Sequence, residues 1–303
     1  MRKVRWSAEA LWAISIGALA TMALVIAAGA SGCGSQDNRA GNQTGSNKTQ
    51  LATGGIEDAK AKADAAGMTL TAYLVGPTGE KLVPPTPDGA INADEAMVDV
   101  EVKGIDLIDP AKTGEKPEKG QGHLHYRVDR QPVIATTATK LSFHDLGPGP
   151  HTIEVMLAAN DHSPLGPMTT LRLNSGEAAK RTTDAGTMAK TNPSAAQNAT
   201  LKAHLVDKDA KAAKRTATVE VDVTGIQIGQ PDPGSESFAP MAHLHYRVDQ
   251  GAVIATTEKK LSFHDLEIGP HTITVALAAQ DHTLLGPKDT LELNVPDSAS
   301  AGH

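Results

Sequence analysis

Histidine pairs separated by one residue are the strongest chemical signal in this sequence. The stretch His-Leu-His-Tyr-Arg-Val-Asp occurs unchanged at His123–Asp129 and at His243–Asp249. Its alternation predicts a β-strand with Leu124 and Tyr126 on an apolar face and the imidazoles together on the opposite, polar face. Two imidazoles on one strand face are held at a fixed separation, which is how a protein presents ligands to Zn²⁺ or Cu²⁺.

An Asp-His pair supplies further ligands in each copy. In an antiparallel sandwich, the strand that contains His123 begins at one end of the sandwich. A later strand finishes at that same end and leads into Asp161 and His162. We therefore predict a Cu or Zn site at this end of each copy. The open alternative is that the imidazoles are solvated and that Asp161 only caps a turn. The candidate metal ligands are His123, His125, Asp161, His162, His243, His245, Asp281 and His282.

The other repeated histidines are expected to have different roles. His151 and its copy His271 share a strand face with apolar residues, so we expect them to cap the core. His144 and His264 lie on an outward face, so we expect them to be solvated at the opposite end of each sandwich.

Arginine and aspartate share the polar face of the repeated strand. Arg127 with Asp129, and Arg247 with Asp249, are expected to form surface ion pairs or contacts in a hairpin turn, which are worth at most about 1 kcal/mol.

The elements that must position these residues are duplicated. Between 123–174 and 243–294, about 37 of 52 positions are identical without gaps, which indicates an internal repeat. Short alternating segments separated by turn residues predict an all-β fold: two tandem immunoglobulin-like antiparallel β-sandwiches, residues 68–174 and 200–295. The strands predicted for the first copy are Thr69–Val75, Met97–Ile105, His123–Asp129, Val133–Thr136, Lys140–His144, His151–Ala159 and Thr169–Asn174.

The segments outside the sandwiches predict export and anchoring. Residues 1–33 combine a positive start and an apolar run with a lipobox-like end at Cys33, the only cysteine, which we expect to be lipidated. An uncleaved N-terminal membrane helix is the alternative, since the run is just long enough to span a bilayer. Either reading predicts an extracytoplasmic, membrane-anchored protein in the periplasm or at the cell surface. Residues 34–67 are expected to be a flexible tether, 175–199 a flexible linker that lets the domains move, and 296–303 a disordered tail.

The second half of each copy resembles bacterial immunoglobulin-like and fibronectin-like modules. Tyr-Arg-Val-Asp, a short turn and then Leu-Ser-Phe-His-Asp-Leu lead into Gly-Pro-His-Thr, the order of motifs in those modules. His-x-His followed by Gly-Pro-His-Thr and Asp-His is also similar to small exported bacterial domains of unknown function. These resemblances imply an extracytoplasmic β-sandwich and carry no reaction with them.

Composition and missing motifs narrow the function. The net charge of −7 argues against a nucleic-acid partner, which would require a basic patch. The chain has no Gly-x-Ser-x-Gly, no phosphate-binding loop and no His-Glu-x-x-His, so we expect a binding module and not an enzyme. The leading hypothesis is Cu or Zn binding. The alternatives are a structural or adhesion module that binds an envelope protein or polymer without metal, and, more remotely, a metal-dependent hydrolase or dismutase.

Overall fold

The structure is a computed structural model that describes residues 67–297, except 77–78, 83–90, 93–94, 110–115, 176–195, 197 and 230–240. The predicted leader with Cys33, the tether up to residue 66 and most of the predicted linker and tail lie outside the described residues. Within the described part, no helix is long and apolar enough to cross a membrane.

The first repeat folds almost entirely into β-strands, as predicted. Alternating segments rich in Val, Leu and Ile form strands because one face can be buried while the other stays polar. The strands are β1 Thr69–Val75, β2 Ile91–Asn92, β3 Ala96–Lys103, β4 Asp106–Leu107, β5 Gln121–Val128, β6 Val133–Thr136, β7 Lys140–His144, β8 Gly149–Ala158 and β9 Pro164–Ser175.

The second repeat follows the same plan and adds one short helix, Lys208–Ala212, in the connection after its first strand. Its strands are β10 Thr200–Val206, β11 Ala217–Thr224, β12 Gln227–Ile228, β13 Met241–Val248, β14 Val253–Thr256, β15 Lys260–His264, β16 Gly269–Ala278 and β17 Leu284–Val295.

Each repeat divides its strands between two sheets in the manner of an immunoglobulin-like sandwich. In the first repeat, β1, β3 and β7 lie in one sheet, and β6, β5, β8 and β9 lie in the other. The second repeat makes the same division, with β10, β11 and β15 opposite β14, β13, β16 and β17. Neighbouring long strands are antiparallel, and the short strands β2, β4 and β12 add parallel pairs at the margins.

The two repeats are joined edge to edge, so that both sheets run through both of them. Strand β7 pairs with β14, with Phe143 opposite Ile254, and β15 pairs with β6, with Phe263 opposite Ile134. Independent movement of the two domains was expected from the linker. Two ladders of backbone hydrogen bonds between the repeats oppose that movement.

The main apolar cluster of the described residues extends through both repeats. The predicted inward face of the repeated strand is confirmed, since Leu124 and Tyr126 are fully buried, as are Leu244 and Tyr246. The histidines of the opposite face are also buried, because His123 is 0 % exposed and His125 is 7 % exposed. These two imidazoles therefore lie in a dry environment.

The buried tyrosine of the repeated strand makes a hydrogen bond that can be tested. The Tyr126 hydroxyl donates to the Ala138 carbonyl at 2.7 Å. We expect Tyr126→Phe to lower the free energy of unfolding by about 1–2 kcal/mol, because a buried carbonyl loses its donor. Urea unfolding followed by circular dichroism measures this change. Tyr73→Phe on the half-buried face of β1 is the control, expected within about 0.5 kcal/mol of wild type, and equal losses in both variants would contradict the assignment.

Candidate metal centre

Three imidazoles converge in the first repeat, and we call His123, His125 and His162 the first triad. His123 Nε2 lies 2.9 Å from His125 Nε2 and 3.0 Å from His162 Nδ1, and the third separation is 3.4 Å. An ion with bonds of about 2.0–2.1 Å requires ligand separations of about 2.8–3.4 Å at angles from 90° to tetrahedral. The nitrogen atoms are therefore already placed for one ion at the centre of the triad.

The second repeat reproduces this arrangement in the second triad, His243, His245 and His282. The corresponding nitrogen separations are 2.9, 3.0 and 3.2 Å. The two histidines of each His-x-His pair lie on an interior strand of a sheet, β5 or β13, whose neighbours on both sides fix the backbone. The third imidazole arrives from the turn that joins the last two strands of the repeat.

That turn has a backbone conformation that is uncommon for a residue with a side chain. His162 has a φ of 64° and His282 a φ of 62°, both in the left-handed region. Non-glycine residues adopt this region infrequently, and a conformation held by the surrounding structure is a feature of binding sites. The strained turn aims the ring back over the His-x-His strand.

The predicted carboxylate ligands are not part of the triads, which corrects the sequence-based interpretation. Asp161 is exposed and its Oδ1 accepts hydrogen bonds from the Ser163 backbone N–H and hydroxyl. Asp281 is likewise exposed and accepts from the Thr283 N–H. These bonds lower the pKa of both carboxyls and assign the aspartates to the turn, which was the alternative left open.

The contacts within each triad cannot all be hydrogen bonds. A neutral imidazole nitrogen is either a donor or an acceptor. Among three nitrogen atoms that contact one another, two must be of the same kind, so at least one contact opposes two protons or two lone pairs. A cation at the centre removes this conflict, because all three nitrogen atoms then direct lone pairs at it.

Burial keeps most of these imidazoles in the neutral form that binds metal. Desolvation, with a smaller effect of His162, lowers the pKa of His123 to about 3, and desolvation with nearby positive groups lowers that of His125 to about 2. In the second triad, burial lowers the pKa of His243 to about 4 and lowers that of His245 further. Protons therefore compete weakly with a metal ion for these ligands near neutral pH.

A fourth imidazole, from the other repeat, lies beside each triad, which the sequence did not predict. The His264 ring centroid lies 4.1 Å from that of His162, and the His144 centroid lies 4.1 Å from that of His282. The expectation that His144 and His264 are solvated is wrong. His144 is 5 % exposed, His264 is half-buried, and burial lowers the pKa of each to about 3.

The edge-to-edge pairing explains this error. His144 ends β7, which pairs with β14 of the second repeat, so its outward face belongs to a surface shared with that repeat. In the other sheet, His264 is separated from β5 by β6, where the small side chain of Ala135 lies beside His125. The sequence shows identical histidines in both copies, but it does not show that the partners of His144 and His264 lie in the other repeat.

The arginine and aspartate of the repeated strand, with His151, stabilise turns and the contact between the two repeats. His151 binds the Asp129 carboxylate at 2.8 Å and the Gly147 carbonyl at 3.0 Å, which agrees with a structural role. Arg127 pairs with Asp265, and Arg247 with Asp145. The arginines were expected to pair near their own aspartates, whereas each crosses to the other repeat.

Fold and site together define an all-β protein of two fused immunoglobulin-like sandwiches with a buried histidine cluster in each half. No protein-family model matches the chain, and no curated protein matches it in sequence.

Among solved structures, the chain is similar to fibronectin(III)-like modules of CbhA from Clostridium thermocellum, at 11 % identity over 77 % of this chain and 98 % of that one, with a TM-score of 0.25. It is also similar to the S-layer protein SbsC, domains 5–6, at 11 % identity over 75 % of this chain and 100 % of that one, with a TM-score of 0.17. A β-glucuronidase from Parabacteroides merdae matches at 10 % identity over 75 % of this chain and 24 % of its own length, with a TM-score of 0.19.

Proposed function

We propose that this protein is an extracytoplasmic metal-binding protein in which each immunoglobulin-like half binds one Cu or Zn ion through its histidine triad. The observation that carries this proposal is the convergence of three imidazole nitrogen atoms within 3.4 Å of one another in the first triad. No set of hydrogen bonds satisfies such an arrangement, and one ion does.

The proposed chemistry is reversible binding of an accessible ion. A structural zinc site is closed by four protein ligands, whereas three ligands leave a position open to water or to another molecule. The imidazoles of His162 and His282 are only half-buried, so each triad has one side through which an ion can enter. Cu and Zn both accept imidazole, and the observed separations fit either ion.

The proposed location follows from the leader. A positive start, an apolar run and a single cysteine at Cys33 support export and attachment to a membrane, with the triads held in the extracytoplasmic space. An envelope position would bring the sites into contact with metal ions that enter or leave the cell.

The first triad offers a direct test. We expect His162→Asn to remove one bound ion per chain, because asparagine tolerates the left-handed backbone of this turn and removes the imidazole. The affinity at that site should fall by more than the roughly 10–100-fold that loss of an outer-shell partner costs. Titration calorimetry with Zn²⁺ or Cu²⁺ and elemental analysis after gel filtration measure the two quantities.

Asp161→Asn is the matched control at the adjacent position. Its amide oxygen still accepts the Ser163 N–H, so the turn is preserved, and we expect the metal content to equal that of wild type. If the wild-type protein bound no ion, or if His162→Asn bound as many ions with the same affinity, the proposed function would be wrong.

A further inference from the structure

A second group of ligands lies directly beside the second triad. Glu95 Oε1 is 3.5 Å from His144 Nε2 and 3.7 Å from His282 Nε2. The ligand atoms of these three residues all lie within 4.8 Å of one another. Two imidazoles and a carboxylate form a donor set suited to a divalent transition-metal ion.

His282 belongs to both groups through different atoms. Its Nδ1 lies 3.0 Å from His243 Nε2 in the triad, while its Nε2 faces Glu95. The lone pairs of the two ring nitrogen atoms point away from each other, so one ion cannot use both. An ion in the second triad therefore leaves Nε2 available to another.

His144 brings a buried nitrogen without a hydrogen-bond partner to this group, and only here among the described residues does such a fourth histidine join a group with a carboxylate. The residue is only 5 % exposed, and its Nε2 has almost no contact with solvent and no hydrogen-bond partner among the described residues. A buried polar atom without a partner costs about 1–3 kcal/mol. The uncompensated atom faces Glu95, whose carboxylate is too distant for a hydrogen bond at 3.5 Å but close enough for both to bind a shared ion after a small shift.

We propose that Glu95, His144 and His282 bind an additional divalent transition-metal ion, such as Zn²⁺ or Cu²⁺, which His282 bridges to the ion in the second triad. The bridge rests on the proposed function, since it requires that the second triad also binds metal. When both ions are bound, the remaining ring proton of His282 is released to solvent. The carboxylate of Glu95 offsets part of the added positive charge.

Among the described residues, no carboxylate lies beside the first triad in the position of Glu95, although His264 Nε2 is buried without a hydrogen-bond partner as His144 Nε2 is. The position equivalent to Glu95 is Thr216, since each residue precedes the alanine that pairs with Phe143 or Phe263. The Thr216 hydroxyl donates to the Lys211 carbonyl. The two halves are therefore alike in their triads and different in what surrounds them.

The additional ion would join the two repeats. Glu95 and His144 come from the first repeat, and His282 comes from the second. Filling this site adds metal–ligand bonds across the same edge that β7 and β14 form with backbone hydrogen bonds.

Metal counting on the full chain tests the additional site. We expect wild type to bind about three Zn²⁺ ions per chain by native mass spectrometry, and Glu95→Gln and His144→Asn to bind about two. His264→Asn is the matched control, because it removes the equivalent imidazole from the half without a carboxylate and should leave about three ions bound. Circular dichroism confirms that each variant is folded.

Electron paramagnetic resonance of the Cu²⁺-loaded protein tests the bridge. An imidazolate between two Cu²⁺ ions couples their spins, so these two ions should give no normal signal. In wild type, the integrated signal should therefore correspond to about one of the three bound Cu²⁺ ions. In Glu95→Gln, it should correspond to both of the ions that remain bound. If wild type bound two metal ions per chain and Glu95→Gln did not change that number, the additional site alone would be overturned. Wild type with no ion would overturn the proposed function as well, and three ions with full signal intensity would overturn the bridge.

Discussion

The metal-free protein is expected to lose most of its stability as the pH falls from 7 to 5. The cause is the buried histidines, whose pKa values lie far below the value of about 6.5 that they have in an unfolded chain. Burial lowers the pKa of His123, His125, His144 and His243 to values of about 2 to 4.

The direction of this pH dependence follows from the number of protons that the folded and the unfolded chain bind. Between pH 6.5 and the folded pKa, the unfolded chain binds a proton at each of these positions and the folded chain does not. Acid therefore stabilises the unfolded state throughout this window, and stability falls as the pH falls. Each such histidine costs about 2 kcal/mol at pH 5, so four cost about 8 kcal/mol, against a typical total stability of 5–15 kcal/mol.

Urea unfolding in the presence of a chelator, at pH 7, 6 and 5, measures this loss. A variant that carries His125→Gln and His245→Gln should retain more of its pH 7 stability at pH 5, because two buried imidazoles are absent. The exposed His204 provides the control, and His204→Gln should follow wild type. A free energy of unfolding that is the same at pH 5 and pH 7 would show that these histidines are not buried in neutral form.

The strands were predictable because they depend on local patterns. Thr69–Val75, Val133–Thr136 and Lys140–His144 were predicted with the boundaries that the structure shows, since alternation and turn residues act within a few positions of one another. The meeting of His123, His125 and His162 was also expected, because the order of strands in a sandwich brings those ends together.

The contacts between repeats could not be predicted in the same way. The sequence shows that β6 and β14 are identical, but not that β14 would pair with β7. Glu95 was missed for a related reason. It ends the connection between β1 and β3, where the two repeats differ in length and sequence, and the imidazole that it faces most closely, His144, is brought beside His282 only by pairing between repeats.

The second repeat alone, residues 198–297, is expected to form a two-fold symmetric dimer. In the full chain, β14 pairs with β7 and β15 pairs with β6. The isolated repeat loses both partners and exposes two strand edges, which readily pair with another chain.

A second copy of the isolated repeat offers strand edges with the same sequences as the edges of the missing first repeat. Strands β6 and β14 both read Val-Ile-Ala-Thr, and β7 and β15 both read Lys-Leu-Ser-Phe-His. Pairing of β14 with β15 of the partner subunit, twice around a two-fold axis, therefore restores both ladders and the contact between isoleucine and phenylalanine. It also places His264 of the partner subunit beside each triad, with no residue equivalent to Glu95.

Charge reversal provides the control for this dimer. Arg247, which pairs with Asp145 in the full chain, would face Asp265 of the partner subunit. Sedimentation analysis should show a dimer for the isolated repeat and a dissociation constant raised by at least about 10-fold for Arg247→Glu, since like charges across an interface are costly. The double variant Arg247→Glu with Asp265→Arg reverses both charges and should restore the dimer. A folded monomer at all concentrations would mean that the edges are protected without a partner.

Because the dimer holds two triads and lacks the additional carboxylate, it should bind about two metal ions, one per triad. The difference between this number and the number bound by the full chain isolates the contribution of Glu95.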